Sequence, residues 1–227
     1  MQPRGTAVVV GAGSAIGTAT ARALHALGWS PELWGREPER LRGLVPGAPV
    51  HRVDVREREQ VAAALAACRR PLTLLVHTAG VFDWCDAESA DLDVWDELVD
   101  VDLGGAMRTT RLALPLLLAD APSSLVLLGS GAAHRAHPHN AAYVAAKHGL
   151  AGFAESVRQE VGARGVGVSL VNPGMVAAGA SLVTERAATR PGSLLQPQDV
   201  AAAVAHAASA PPHACVSRID LDPREPV

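Results

Sequence analysis

Lysine and tyrosine are almost missing from this chain, and the only two it has stand four residues apart. Among 227 residues there is one tyrosine, Tyr143, and one lysine, Lys147, while the other nineteen basic side chains are all arginine. Aromatic residues of every kind amount to 3% of the sequence, so a core has to come from alanine, valine and leucine within the 48% hydrophobic total. Cysteine is scarce too: Cys68, Cys85 and Cys215 are odd in number and irregularly spaced. That argues against a disulfide framework or a cysteine zinc site and for reduced thiols. Positive charge is not in excess, the net charge being −3. No basic run offers a footprint for nucleic acid or an anionic surface. No uninterrupted apolar stretch is long enough to span a bilayer, and MQPRG leads straight into a strand pattern without the profile of a signal peptide. These absences point to a soluble, cytoplasmic protein with neither nucleic acid nor membrane as partner.

What is present is alternation. Short apolar runs at residues 6–10, 32–35, 50–53, 72–76, 124–128, 166–171 and 216–221 read as strands. Helical patterns separate several of them, over 14–27, 56–68, 91 to about 119, 141–161 and 197–208. Buried strands alternating with helices predict an α/β fold of the doubly wound, Rossmann type: a parallel seven-stranded sheet with helices on both faces. No linker, repeat or low-complexity tract interrupts the pattern, and the length suits one domain over residues 1–227.

The first strand runs into the first helix through Gly11-Ala-Gly13-Ser14-Ala-Ile16-Gly17. In such a turn Gly11 permits the tight bend, Gly13 lets the backbone approach a pyrophosphate, and Gly17 lets helix and strand pack closely. The helix N-terminus then faces the phosphates. The second strand ends Leu33-Trp34-Gly35-Arg36. A fold selective for NAD usually carries an acid there for the ribose 2′-hydroxyl. Here Gly35 replaces it, and Arg36 offers a guanidinium fork suited to a 2′-phosphate, with Arg40 one turn on. NADP(H) is therefore the expected cofactor.

Tyr143 and Lys147 share one face of the helix predicted over 141–161, one turn apart. An ammonium in that position stabilises a phenolate, and a phenol so tuned is a general acid for a carbonyl becoming an alkoxide. A Tyr–Lys pair on a helix surface is common by itself, and its neighbours decide its meaning.

Those neighbours resemble the short-chain dehydrogenases/reductases over essentially the whole length. The glycine turn is similar to the family's TGxxxGxG loop, with Val10 for Thr and Ala15 for the middle Gly. Asp54, followed by Val55, stands where the family has an aspartate touching the adenine. His77-Thr78-Ala79-Gly80 stands where the family has NNAG, and Ser130 lies thirteen residues before Tyr143, as the family's catalytic serine does. Asn172-Pro173-Gly174, with Val176 just beyond, matches the turn beside the nicotinamide. The resemblance implies that Tyr143 exchanges a proton with the substrate, that Ser130 bonds the substrate oxygen, and that Lys147 bonds the nicotinamide ribose. It also implies a homodimer or homotetramer built on the helices predicted over 91–119 and 141–161, whose apolar residues spread beyond one stripe.

Three departures stand out. Counting seven residues from Trp95 places Asp102 where the family's catalytic tetrad has asparagine; a carboxylate keeps the acceptor but loses the amide donor and adds charge. On a water-filled path near Lys147, that charge would hold the ammonium protonated to higher pH. Ala178 stands where a cofactor-binding threonine is common, and Ile219-Asp-Leu-Asp-Pro223 replaces a glycine-rich tail. Before the Tyr–Lys helix lie His134, His137 and His139. Without cysteine or a clear fourth ligand they are expected to hold no metal and to flank a substrate pocket with Phe82, Trp84 and residues 175–190, Trp84 being equally readable as a packing residue. The expected function is an NADPH-dependent oxidoreductase acting on a small ketone, aldehyde or alcohol. A non-catalytic NADP(H)-binding sensor or assembly protein, and non-redox chemistry with Tyr143 as acid, are the competing readings.

Overall fold

A computed structural model of the chain describes residues 4–225. Its strands are β1 (Thr6–Val10), β2 (Ser30–Gly35), β3 (Val50–Arg52), β4 (Leu72–His77), β5 (Ser123–Leu128), β6 (Val166–Pro173) and β7 (Arg218–Leu221). They form one sheet in the order β3-β2-β1-β4-β5-β6-β7, and every pairing is parallel. The helices are α1 (Ala15–Ala26), α2 (Pro38–Leu41), α3 (Arg58–Ala67), α4 (Leu92–Val99), α5 (Ala106–Ala119), α6 (Ala141–Val161), α7 (Glu185–Thr189) and α8 (Pro197–Ala208). This is the doubly wound α/β architecture that the alternating pattern predicts.

The two-residue period of a strand explains how the sheet is covered on both sides. In β1, Val8 and Val10 belong to one core with Val61 and Leu65 of α3, Leu117 of α5 and Leu150 and Val157 of α6. Ala7 and Val9 point the other way, into a second core with Ala21 and Leu24 of α1 and Val200 and Val204 of α8. Each fully buried Val or Leu contributes roughly 1.5–3 kcal/mol, so two mainly aliphatic cores suffice with one buried tryptophan apiece, Trp34 and Trp29.

Several boundaries move by one or two residues from the sequence pattern, β2 starting at Ser30 rather than 32 and β6 ending at Pro173 rather than 171. Strand β7 begins at Arg218, two residues later than 216. The helix predicted over 91–119 is broken into α4 and α5 by a π-helical turn, Asp100–Gly105. Residues 175–195, which carry no clear period, hold a short 3-10 turn (Gly179–Val183) and α7. Among the described residues no helix is long and apolar enough to cross a membrane.

From β1 the chain winds outward through β2 and β3, then returns to add β4 on the other side of β1. At that reversal the loops leaving the carboxyl ends of the strands diverge and leave a crevice, the usual ligand position in open α/β sheets.

Candidate active site

The crevice is a cleft of about 220 Å³ lined by loops leaving β1, β2, β3 and β4. It brings together Gly11, Gly13, Ser14, Arg36, Asp54, Val55, Thr78, Ala79 and Gly80. Val10, Gly35 and Arg40, which the sequence also singled out, and Glu37, Leu41, Val53, Val81 and Val101, which carry no motif that would have pointed to them, complete the lining. Gly11 has φ +80°, and a Cβ there would lie 2.6 Å from the Ala79 nitrogen. A Cβ on Gly17 would lie 2.2 Å from the Gly11 carbonyl, so helix α1 can start this close to β1 only without a side chain. Ser14 caps α1, its Oγ accepting from the Gly17 N–H at 2.9 Å. A Cβ on Gly13 would meet only the Leu41 side chain, at 3.3 Å, and Gly13 itself lines the cleft. A backbone cradle at the positive end of a helix fits a phosphate-bearing nucleotide.

Arg36 is exposed at the rim, and among the described residues no ion pair or hydrogen bond holds its guanidinium. Arg40, by contrast, pairs with Glu37 at 2.9 Å. Asp54 lines the cleft with its carboxylate already engaged. The Arg56 guanidinium donates to it at 2.7 Å and the Arg56 N–H at 3.0 Å. The side-chain bond from Arg56 holds the Asp54 carboxyl below the usual carboxylate range, against some burial. Thr78 ties β4 to β1 through Oγ1, donating to the Val10 carbonyl at 2.8 Å.

Next to the cleft stand the lone tyrosine and lysine. Lys147 Nζ lies 5.5 Å from the Tyr143 ring centroid, donates to the Leu128 carbonyl at 3.3 Å and is 4% exposed as a residue. Asp102, 1% exposed, accepts from the Val81 N–H at 2.7 Å through Oδ1. Its Oδ2 lies 3.5 Å from Lys147 Nζ, an ion-pair distance at the outer limit of a hydrogen bond, and meets no other donor among the described residues. The sequence count thus puts Asp102 beside Lys147, but buried and in contact with it rather than on a water-filled path. The π-helical turn, whose wider ring displaces backbone relative to an α-helix, is the element that carries it.

Burial acts on both partners. It raises the Asp102 carboxyl above its ordinary range, opposed by the Lys147 charge and the Val81 N–H. On Lys147 burial pushes downward, but the Asp102 carboxylate and, next, Tyr143 outweigh it, and the ammonium is held to higher pH than usual. His77, at the end of β4, is fully buried with neither ring nitrogen bonded. Burial, helped by the Lys147 charge, pushes it down to about 3, so it is neutral.

Ser130 stands at the end of β5, where its Oγ accepts from the Ala132 N–H at 3.1 Å. That bond occupies a lone pair and leaves the hydroxyl proton free to be donated. The Ser130 N–H donates to Asn172 Oδ1 at 3.3 Å, and Asn172 Nδ2 donates to Asp220 at 2.9 Å. Asn172 thereby laces β5, β6 and β7 together. Pro173 closes β6, and Gly174 returns its N–H to the Leu221 carbonyl at 2.7 Å. Of the sequence candidates, Ile16, Gly17, Asp102, Ser130, Tyr143, Lys147, Pro173, Gly174 and Val176 lie outside the cleft lining. Ile16 packs against the α1–α8 core, Val176 is buried opposite Leu195, and Pro173 and Gly174 sit at the end of β6.

The histidines disperse. His139 Nδ1 pairs with Asp86 at 2.6 Å, and His134 lies 3.9 Å from Asp220. Among the described residues no group of three or more His, Cys, Asp or Glu side chains is arranged to hold a metal ion. Phe82 packs edge-on against the Tyr143 ring, with centroids 4.9 Å apart.

The comparisons with known proteins bear on the same features. Residues 5–189 match the family model described as short chain dehydrogenase. An uncharacterized oxidoreductase of Staphylococcus aureus strain MW2 is 30% identical over 225 residues, covering 96% of each chain. The corresponding protein of strain USA300 is 29% identical over the same span and coverage. Among solved structures, a point variant of actinorhodin polyketide ketoreductase with NADPH superposes with a TM-score of 0.88. It is 25% identical, covering 96% of this chain and 95% of that one. A dehydrogenase/reductase from Sinorhizobium meliloti 1021 gives 0.85 at 26% identity, covering 97% and 94%. With a family model matching residues 5–189, the glycine turn lining the crevice and the buried lysine paired with Asp102 next to it, this chain belongs to the short-chain dehydrogenase family of oxidoreductases.

Proposed function

We propose that the protein is an NADPH-dependent reductase that interconverts a ketone or aldehyde with an alcohol, using Tyr143 as the general acid and, in reverse, the general base. One observation carries the reading. In a chain with a single tyrosine and a single lysine, the two meet beside the nucleotide cleft, and the lysine is buried and held charged. A binding module has no need of that cost.

When bound, the nicotinamide cofactor supplies the hydride. The chain's own residues do the rest. Gly11, Gly13 and Ser14 present backbone to the phosphates, and the free Arg36 fork takes the 2′-phosphate. Ser130 donates its hydroxyl proton to the substrate oxygen and fixes its position. The Lys147 ammonium favours the phenolate left when Tyr143 gives its proton to the developing alkoxide. Support for NADPH over NADH comes from Gly35 and Arg36 at the end of β2, and from the NADPH held by the ketoreductase neighbour.

Titration of the wild-type protein with both cofactors tests the assignment. NADPH should bind more tightly by about tenfold or more, the worth of hydrogen bonds to a charged group, and Arg36→Ala should remove most of the difference. Equal affinities in the wild type would contradict it. A panel of carbonyl compounds followed by NADPH consumption tests the reaction class.

A further inference from the structure

We infer that Phe82 and Trp84 form an aromatic wall beside Tyr143 that selects carbonyl substrates bearing a flat apolar group, aryl ketones over straight-chain ones. The inference rests on the reductase reading above and deepens it to a substrate class. The chain has only four tryptophans, two phenylalanines and one tyrosine. Trp29 and Trp34 are buried in the cores, and Phe153 packs against one of them. Phe82 and Trp84 are not taken up in this way: they remain 42% and 59% exposed. A sequence that spends so few aromatics rarely leaves two adjacent rings in water without a partner for them.

Their arrangement is continuous with the acid. The Phe82 and Tyr143 rings meet in a T-shaped contact, centroids 4.9 Å apart, with an interplanar angle of 77°. Trp84 follows Phe82 at 6.3 Å and 34°, and His139 follows Trp84 at 5.6 Å and 35°. The far end is clamped to the chain just before α6. The Cys85 N–H donates to the His139 carbonyl at 2.7 Å, and His139 Nδ1 pairs with Asp86 at 2.6 Å. Within this clamp His139 holds a left-handed backbone, φ +64°. Since Tyr143 lies on α6, the same clamp fixes the rings relative to the hydroxyl that delivers the proton. A carbonyl within reach of Tyr143 therefore projects one substituent along the two exposed rings. A flat ring there gains offset or edge-on contacts that an alkyl chain does not.

The test uses two ketones of equal carbon count, acetophenone and methyl hexyl ketone, with NADPH. The wild type should show a higher kcat/KM for acetophenone. Trp84→Leu and Phe82→Leu should each lower the aryl-to-alkyl ratio about threefold to tenfold, the worth of one aromatic pair. Trp84→Phe, which keeps a ring, should retain most of it. Asp86→Ala, which frees the clamp, should also lower the ratio. A parallel readout needs no turnover: acetophenone affinity for the NADP⁺-loaded protein by saturation-transfer NMR, expected to weaken in Trp84→Leu and hold in Trp84→Phe. A wild type indifferent to the two ketones, or a Trp84→Leu ratio equal to wild type, overturns the wall while leaving the reductase reading in place. If neither ketone is reduced, the reductase reading fails, and the affinity measurement alone decides for or against the wall.

Discussion

Asp102 is an acid buried against Lys147, and its effect falls on that ammonium. Because the folded-state pKa of Lys147 is raised, with Asp102 the main force opposing burial, the ammonium and its share of stability persist at low and neutral pH. Both are lost only as pH rises through the raised value. Asp102→Asn keeps an oxygen for the Val81 N–H but removes the charge. Burial then acts on Lys147 with less opposition, so the alkaline loss of turnover should begin at lower pH than in wild type. A pH–rate profile of both forms at saturating cofactor checks this, and superimposable alkaline limbs would show that the carboxylate does not govern the ammonium. The position of Asp102 could be counted from Trp95, but its burial could not, because contact with Lys147 depends on a π-helical turn that no residue pattern announces. The engagement of Asp54 by Arg56 was hidden for a similar reason: a neighbouring arginine can point to solvent or turn back, and only the folded loop decides.

Among the elements, burial on both faces did not alone decide how well a strand was read, since the largely buried β2 and β6 each extend two residues beyond their apolar runs. β1, β4 and β5 lie deep in the sheet, and their unbroken apolar runs match their spans closely. β7 is an edge strand with alternating exposure, and the pattern misjudged its start by two residues. The join between β4 and α5 is made by a carboxylate: Asp120 accepts from the Leu72 N–H at 2.7 Å and pairs with Arg70. The Arg70 side-chain bond, ahead of a small opposing effect of burial, holds the Asp120 carboxyl below its ordinary range. A depressed acid stabilises the fold above its unfolded pKa and loses that contribution as pH falls through the folded value. Asp120→Asn should therefore lower Tm at neutral pH, and the gap to wild type should close toward acid. Thermal melts at neutral and acidic pH decide it. A gap independent of pH would mean the side chain acts through shape alone.

For the whole molecule, the winding of the strands was legible from alternation, and the crevice followed from it, because the glycine turn and the ends of β2, β3 and β4 must converge where the strand order reverses. Assembly is a further property at this scale. Leu92, Val99 and Met107 stay exposed along α4 and α5, and two of them, seven residues apart, share one helix face. Burying that stripe against a second copy makes a dimer or tetramer the expected state, so light scattering should give a multiple of 23.4 kDa. Val99→Glu should return the mass toward that of one chain, and a monomeric wild type would contradict the assembly. What the molecule does is tested most directly at its only tyrosine. Turnover of a reducible ketone by Tyr143→Phe should fall by roughly a hundredfold or more, the usual worth of a general acid, while NADPH affinity by titration stays near wild type because the ring still packs on Phe82. A Tyr143→Phe protein that keeps most of its turnover would place the acid elsewhere and contradict the account.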